Sequence, residues 1–330
     1  MSAEQRYAGI DKYGIKKLYP DADDEPEQQY LDMNDIKAGR VDDYPATYEE
    51  SDEDVPGGFK AVEIGGVEVR LALYSSNGNP FGSVEHTVYF KFEIETGYPT
   101  SNGDHDDPYR LFQPYIGGGK HHTEKDRCCE GNSMKACIFG GGDIGFRKEI
   151  CHPAYCVDRG HYNNYDNKPH GGEWHGPIKN MKNGNMLGRW YGFKQIEKQL
   201  ADRNRQEVWM DEGADDGNGN LVLDGNEHRW RLITAYEDVK TGEEDGRPIS
   251  DWTTGEYSQC TACVAESRSG KPLPNGYVRL EPFSVTHAEG HDIDIEDTNS
   301  VTVRIDNKKE KIAYWSFRKI TPTDTPPSPT

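Results

Sequence analysis

Between Lys120 and Lys194 the chain carries six of its eleven histidines, interleaved with Arg147, Lys148, Glu149, Tyr155, Arg189, Tyr191 and Lys194. Imidazole, phenol and cationic groups are the types needed to abstract a proton next to a carboxylate. One group neutralises the carboxylate, one takes the proton and one protonates the leaving oxygen. On that chemistry His121 or His152 is the candidate base and Tyr155 or Tyr191 the candidate acid, with Arg147, Lys148 or Lys194 as the neutralising cation. In FRKEICHPAY, from Phe146 to Tyr155, an extended backbone puts Lys148 and His152 on one side and Arg147 and Glu149 on the other. The same residues also fit a ligand-contacting rim or core histidines satisfied by backbone groups.

Three further patterns carry chemistry. In HDIDIED, Asp292, Asp294 and Glu296 alternate with Ile293 and Ile295, so a strand would project the carboxylates from one face. The pattern resembles the E-I-D-I-E strand of laminarinase-like glucanases, in which carboxylates two residues apart cleave a glycosidic bond. Here the first position is Asp, whose shorter side chain changes the reach, and a solvent-facing strand edge explains the alternation equally well. From Asp211 to Glu227, DEGADDGNGNLVLDGNE places Asp216, Asn218, Asn220, Asp224 and Glu227 at the oxygen-ligand spacing of a calcium loop, with Asp211 just ahead. Leu221 stands where the sharp turn of such a loop wants glycine, so calcium in a looser geometry competes with a metal-free hairpin loop. In VTVRIDN, Arg304 and Asp306 share one side of a strand, suited to sugar hydroxyls or to an internal ion pair. With Arg147 and Trp190 they are the substrate-binding candidates; Trp174, Tyr191 and Trp209 are further rings able to stack on a sugar or to pack in a core.

These groups need a scaffold. Val67–Tyr74 and Thr87–Glu95 alternate with the period of two of half-buried strands. Further strands are predicted at Glu207–Met210, Trp230–Ala235, Tyr277–Leu280, Ser300–Ile305 and Ile312–Ile320, separated by Gly, Asn and Asp clusters that mark turns. Ile196–Arg203 fits one short helix, although Trp190–Ile196 reads equally well as an aromatic strand. No repeat and no βαβ alternation is present, so the prediction is an all-β sandwich of two antiparallel sheets with long loops and few short helices. An acidic segment, residues 1–58, wraps the domain or is partly mobile; residues 59–320 form the domain, and residues 321–330 are a Thr/Pro-rich tail.

Composition narrows the partners. A formal charge of -20 repels phosphate backbones, which excludes nucleic acid as a partner class and suits divalent cations or solubility in brine. No apolar run is long enough to span a bilayer. GGGKHH, from Gly117 to His122, lacks the spacing of a phosphate-binding loop. The cysteines Cys128, Cys129, Cys137, Cys151, Cys156, Cys260 and Cys263 fit structural disulfides better than a zinc ribbon, which needs two CxxC pairs. Disulfides and the Thr/Pro-rich tail both point to an extracellular or cell-surface setting.

The segments DKYGIKKLYP, VYFKFEIETGY, GGGKHH with a downstream CEGN, FRKEICHPAY, RWYGFKQI, VWMDEGADDGN and VTVRIDN follow one another in that order. Together they resemble a family of archaeal secreted and surface proteins with a concanavalin A-like jelly roll, related in style to polysaccharide lyases and glucanases. The resemblance spans Asp11 to Ile320 and implies polysaccharide engagement on a concave sheet. Whether the polysaccharide is cleaved, with a lyase favoured over a hydrolase, or only bound stays open. The rival class is a non-catalytic glycan-binding or filament-forming surface protein that self-assembles with calcium at its contacts.

Overall fold

The alternating segments do form strands. The structure, a computed structural model, describes residues 9–11, 13–22, 29–30, 42–44, 47–74, 82–93, 110–118, 132–139, 144–149, 162–165, 186–200, 203–225, 227, 229–239, 243–244, 247–248, 263–267, 283–287, 292–296 and 299–321. The strands are β1 (Gln29–Tyr30), β2 (Asp42–Tyr44), β3 (Thr47–Val55), β4 (Phe59–Tyr74), β5 (Val84–Phe92), β6 (Arg110–Gly118), β7 (Asn132–Phe139), β8 (Ile144–Glu149) and β9 (Tyr162–Tyr165). They continue with β10 (Trp190–Gln199), β11 (Arg203–Asp211), β12 (Trp230–Val239), β13 (Glu243–Glu244), β14 (Arg247–Pro248), β15 (Cys263–Ser267), β16 (Phe283–His287), β17 (Asp292–Glu296) and β18 (Asn299–Lys319). Every pairing is antiparallel. Among the described residues there is no helix, and this part of the chain is all-β as expected.

The main sheet runs β12-β11-β10-β5-β18-β6-β7-β8-β9, with β1 and β4 also pairing β18, and β2 and β3 pairing β4. The spine is β18, which the sequence splits into two strands. Its first part pairs β4 and β6, its last part β5, and the Asp306–Lys311 stretch between them stays paired to β4. The sheet bends far enough that β6 approaches β10 and β8 approaches β12. Small separate sheets are β13-β14 and β15-β16-β17. The short helix at Ile196–Arg203 does not form: Trp190–Gln199 is one strand, in register with β5 on one side and β11 on the other. A strand with neighbours on both sides and cover on both faces has no polar alternation to betray it.

One face of β5, β10, β11 and β12 is covered by residues 9–22, here the strap, and by the loop 212–224. Ile15, Leu18, Tyr19, Ala214 and Leu221 pack there against Tyr89, Trp190, Ile196, Trp209 and Trp230. Residues 13–22 thus contribute cover to this face. Gly192 is required where Tyr89, Asp211 and Trp230 crowd the sheet, because a Cβ there would lie 2.8 Å from Tyr89 Cε1 and 2.9 Å from Trp230 Cη2. The residues on the other face of these strands, here the inner face, are also buried, including Val88, Phe90, Phe92, Phe193, Val208 and Met210.

Candidate functional site

Alternation along β10 separates two polar constellations. Lys194, Ile196 and Lys198 face the strap; Tyr191, Phe193, Gln195 and Glu197 face the other way.

On the strap face, Lys194 Nζ donates to Glu85 Oε1 at 2.7 Å and to Thr87 Oγ1 at 2.8 Å, and lies 4.8 Å from the centre of the Trp230 ring. Glu85 also accepts from Arg318 and from the backbone N–H groups of Leu18 and Tyr19. Burial pushes the Glu85 carboxyl up, but Arg318 and Lys194 outweigh it and hold the group below the usual range. Beside it, Glu207 accepts from the Tyr19 hydroxyl at 2.7 Å, the Trp209 indole at 2.9 Å and Arg205 at 2.8 Å, and pairs with Lys198 at 3.1 Å. Here the net effect is again downward, burial being outweighed by Lys198 and the donors. This network pins the strap; its donors are committed to protein partners.

Two sequence candidates are therefore placed differently from expectation. Lys194, a proposed carboxylate neutraliser, is sealed in the strap network because its position in β10 faces the strap. Trp190, a proposed sugar-stacking ring, is buried on that same face, where its indole donates to Glu53 Oε1 at 2.7 Å and Lys91 lies over the ring. Tyr191 is on the inner face, stacked on Phe90 with ring centroids 5.9 Å apart. Burial pushes its hydroxyl up to about 12, so it is a protonated donor at neutral pH, and that oxygen has no partner among the described residues.

The inner face carries a polar strip that the sequence reading missed. His86 on β5 pairs in register with Gln195 on β10, and Glu197 pairs with Gln206 on β11. All four residues are buried, and Lys319 of β18 closes the row beside Val84. Trp315 donates its indole N–H to His86 Nε2 at 2.8 Å, while His86 Nδ1 and both amide atoms of Gln206 have no partner among the described residues. Burial, helped by the Lys194 charge, lowers the His86 pKa to about 3, so the ring is neutral. Tyr191 lies four residues from Gln195 along β10, about 13 Å at the rise of a strand, with the Val88–Phe193 row between them.

The calcium pattern does not converge. Asp216 Oδ1 accepts from the backbone N–H groups of Asn218 and Asn220, and Asp215 Oδ1 from those of Gly217 and Gly219. The Asn220 side-chain donor, first, and these backbone donors lower the Asp216 pKa to about 2. Asp224 turns inward to the Trp230 indole and the Lys16 N–H, and Asp211 pairs with Arg229 at 2.9 Å. Asn218, Asn220 and Glu227 remain exposed. Among the described residues no group of three or more His, Cys, Asp or Glu side chains is placed to hold a metal ion. The first and ninth positions of the pattern have separate partners, Asp216 the N–H groups of its own loop and Asp224 Trp230 and Lys16.

Of the remaining candidates, Arg147 and Lys148 lie in β8, opposite Lys135 and Met134 of β7. Arg304 and Asp306 lie in β18, opposite Arg70 and Glu68 of β4. Asp292–Glu296 is a strand as predicted, with a one-residue shift of register against β16 between Ile293 and Glu296. Cys137 is in β7 and Cys263 in β15. His121, His152, Tyr155, Trp174, Cys128, Cys129, Cys151, Cys156, Cys260 and the predicted strand Tyr277–Leu280 lie outside the described residues.

No protein-family model matches the chain, and no curated protein matches it in sequence. Solved structures do. An alginate lyase from Chlorella virus aligns with a TM-score of 0.40 at 10% identity, over 88% of this chain and 98% of that one. The binding domain of botulinum neurotoxin serotype D aligns with a TM-score of 0.32 at 7% identity, over 85% of this chain and 45% of that one. Peanut lectin in complex with a nine-residue peptide aligns with a TM-score of 0.27 at 10% identity, over 80% of this chain and 96% of that one. Among the described residues no helix is long and apolar enough to cross a membrane.

Proposed function

We propose that this chain is a concanavalin A-like jelly roll that engages polysaccharide at the inner-face strip formed by His86, Gln195, Glu197 and Gln206. The observation that carries the reading is the set of buried polar atoms without partners among the described residues, the Nδ1 of His86 and both amide atoms of Gln206. Each such atom costs about 1–3 kcal/mol unless something satisfies it. Sugar hydroxyls and uronate carboxylates supply donors and acceptors of the matching kind, and the adjacent Val88–Phe193 row offers an apolar surface for the C–H faces of a sugar ring.

His86 is neutral and its Nε2 is occupied by Trp315, so it acts as a donor and not as the proton-abstracting base. In a β-elimination reading the base comes from His121 or His152, and Tyr191 or Tyr155 protonates the leaving oxygen. That step removes the C5 proton, breaks the C4–O bond and leaves a C4–C5 double bond. The same reading puts the chain outside the cell or on its surface, with the cysteines as disulfides. Because the strip is buried, a saccharide reaches it only with a local rearrangement, and association is slow for that reason.

The test is incubation with alginate, glucuronan, pectate and neutral glucans, following retention on each polymer, ultraviolet absorbance of new double bonds and new reducing ends. Retention on at least one polymer supports the reading, and an accompanying rise in absorbance makes the protein a lyase. No retention and no product on any polymer overturns it.

A further inference from the structure

The strip depends on an irregularity in β18. Ala313 pairs with Tyr89 and Ser316 with Thr87, so Tyr314 and Trp315 together oppose the single residue Val88. The extra residue is a β-bulge, a device that re-aims side chains. Tyr314 is the only non-glycine residue with positive φ among the described residues, at 52°. A bulky side chain in that left-handed region is strained. The strain is held by packing: the Tyr314 ring meets Tyr13 at 5.6 Å, Tyr89 at 6.0 Å and Phe59 at 6.3 Å, all edge-on, and its hydroxyl donates to the Pro56 carbonyl. With Tyr314 turned to the strap side, Trp315 is delivered to the inner face, where its indole meets His86.

An indole N–H only donates, so the His86 Nε2 it meets must be the lone-pair nitrogen. In a neutral imidazole the proton then sits on Nδ1. We propose that Trp315 is a positioning residue that locks His86 in the Nδ1–H form, making it a fixed hydrogen-bond donor to an anionic or hydroxyl oxygen of a saccharide on the strip. This rests on the polysaccharide reading for the identity of the acceptor, and on the Trp315–His86 geometry alone for the tautomer. The bulge serves the site by spending backbone strain to place that indole. Without Trp315 nothing among the described residues fixes the ring, and the Nε2–H form becomes accessible.

Long-range nitrogen–proton NMR correlation on histidine-labelled protein reads the tautomer directly. The wild-type His86 ring is expected as Nδ1–H, and Trp315→Phe is expected to shift it toward Nε2–H. Calorimetric titration with alginate, pectate and glucan oligosaccharides then separates the two nitrogens. His86→Asn keeps an amide donor near the Nδ1 position and retains affinity within a few-fold. His86→Gln places its amide near Nε2 and loses roughly ten-fold or more, the worth of a hydrogen bond to a charged acceptor. An Nε2–H ring in the wild type overturns the inference whether or not any sugar binds, and needs no variant to fold. Equal affinities for the Asn and Gln variants also overturn it. An Nδ1–H ring in a protein that binds none of the sugars supports the lock and overturns the polysaccharide reading instead.

Discussion

Replacing Glu85 by Gln isolates the claim that the strap network, and not the aromatic core alone, holds residues 13–22 on the sheet. Glu85 is buried and accepts from Lys194, Arg318 and two strap N–H groups, so the amide leaves two buried cations short of a counter-charge. Breaking a buried pair in this way costs about 3–5 kcal/mol. With 330 residues and an unfolding entropy of roughly 2.1 cal/mol/K per residue, or about 0.7 kcal/mol/K in all, the expected fall in Tm is about 4–7 °C. The assay is thermal unfolding by circular dichroism at neutral pH, at low and high salt, with Asp54→Asn as the control. Asp54 pairs with Lys60 at an exposed site, so its loss is expected to leave the midpoint unchanged. The pH dependence carries a sign. Because the folded pKa of Glu85 lies below its ordinary 4.5, the unfolded chain binds the proton first as pH falls. Its stabilisation is therefore complete above that value and lost as pH drops through the folded pKa. Glu85→Gln flattens this acid limb. A midpoint within about 1 °C of wild type, or an unchanged acid limb, refutes the account of the network.

Gly192→Ala is expected to destabilise by about 1–3 kcal/mol, measured as a lower denaturant midpoint, because the new methyl meets Tyr89, Asp211 and Trp230 at under 3 Å. Asp211 behaves oppositely to Glu85. Burial, against the pull of Arg229, pushes its carboxyl up to about 6 from an ordinary 3.8, so the folded chain holds a proton that the unfolded chain releases. Its contribution therefore falls as pH rises through that window, and Asp211→Asn is expected to flatten the stability profile there. Thermal unfolding in EDTA and in excess calcium is expected to give the same midpoint, since Asp215 and Asp216 are already satisfied within the loop. An upward shift with calcium that Asp216→Ala abolishes would restore the metal reading.

The antiparallel architecture was legible where polar and apolar residues alternate in the sequence, as Glu68 and Arg70 do with Val67, Val69 and Leu71 in Val67–Tyr74 of β4. It was only half legible in β10, where Trp190–Ile196 reads as an aromatic strand but Lys194 and Lys198 on one face and Gln195 and Glu197 on the other leave no alternation to rule out the helix at Ile196–Arg203. Charges on both faces of a central strand are tolerated only with partners supplied from distant residues such as Glu85 and Glu207, which local sequence does not reveal. His86 was missed for a narrower reason: alternation in β5 becomes visible at Thr87, one residue after it. The Asp306–Lys311 stretch reads as a turn on composition, yet its pairing to β4 keeps it extended. The calcium spacing was a true pattern of residue types whose carboxylates the fold turns to different partners.

The measurement that bears most directly on the central claim is calorimetric titration of oligosaccharides from the retained polymer into wild type, His86→Ala, Gln206→Ala and a surface control, Lys60→Ala. The account predicts saturable binding by wild type and control, weakened roughly ten-fold or more in both strip variants. Absence of saturable binding, or equal affinity across all four proteins, contradicts it.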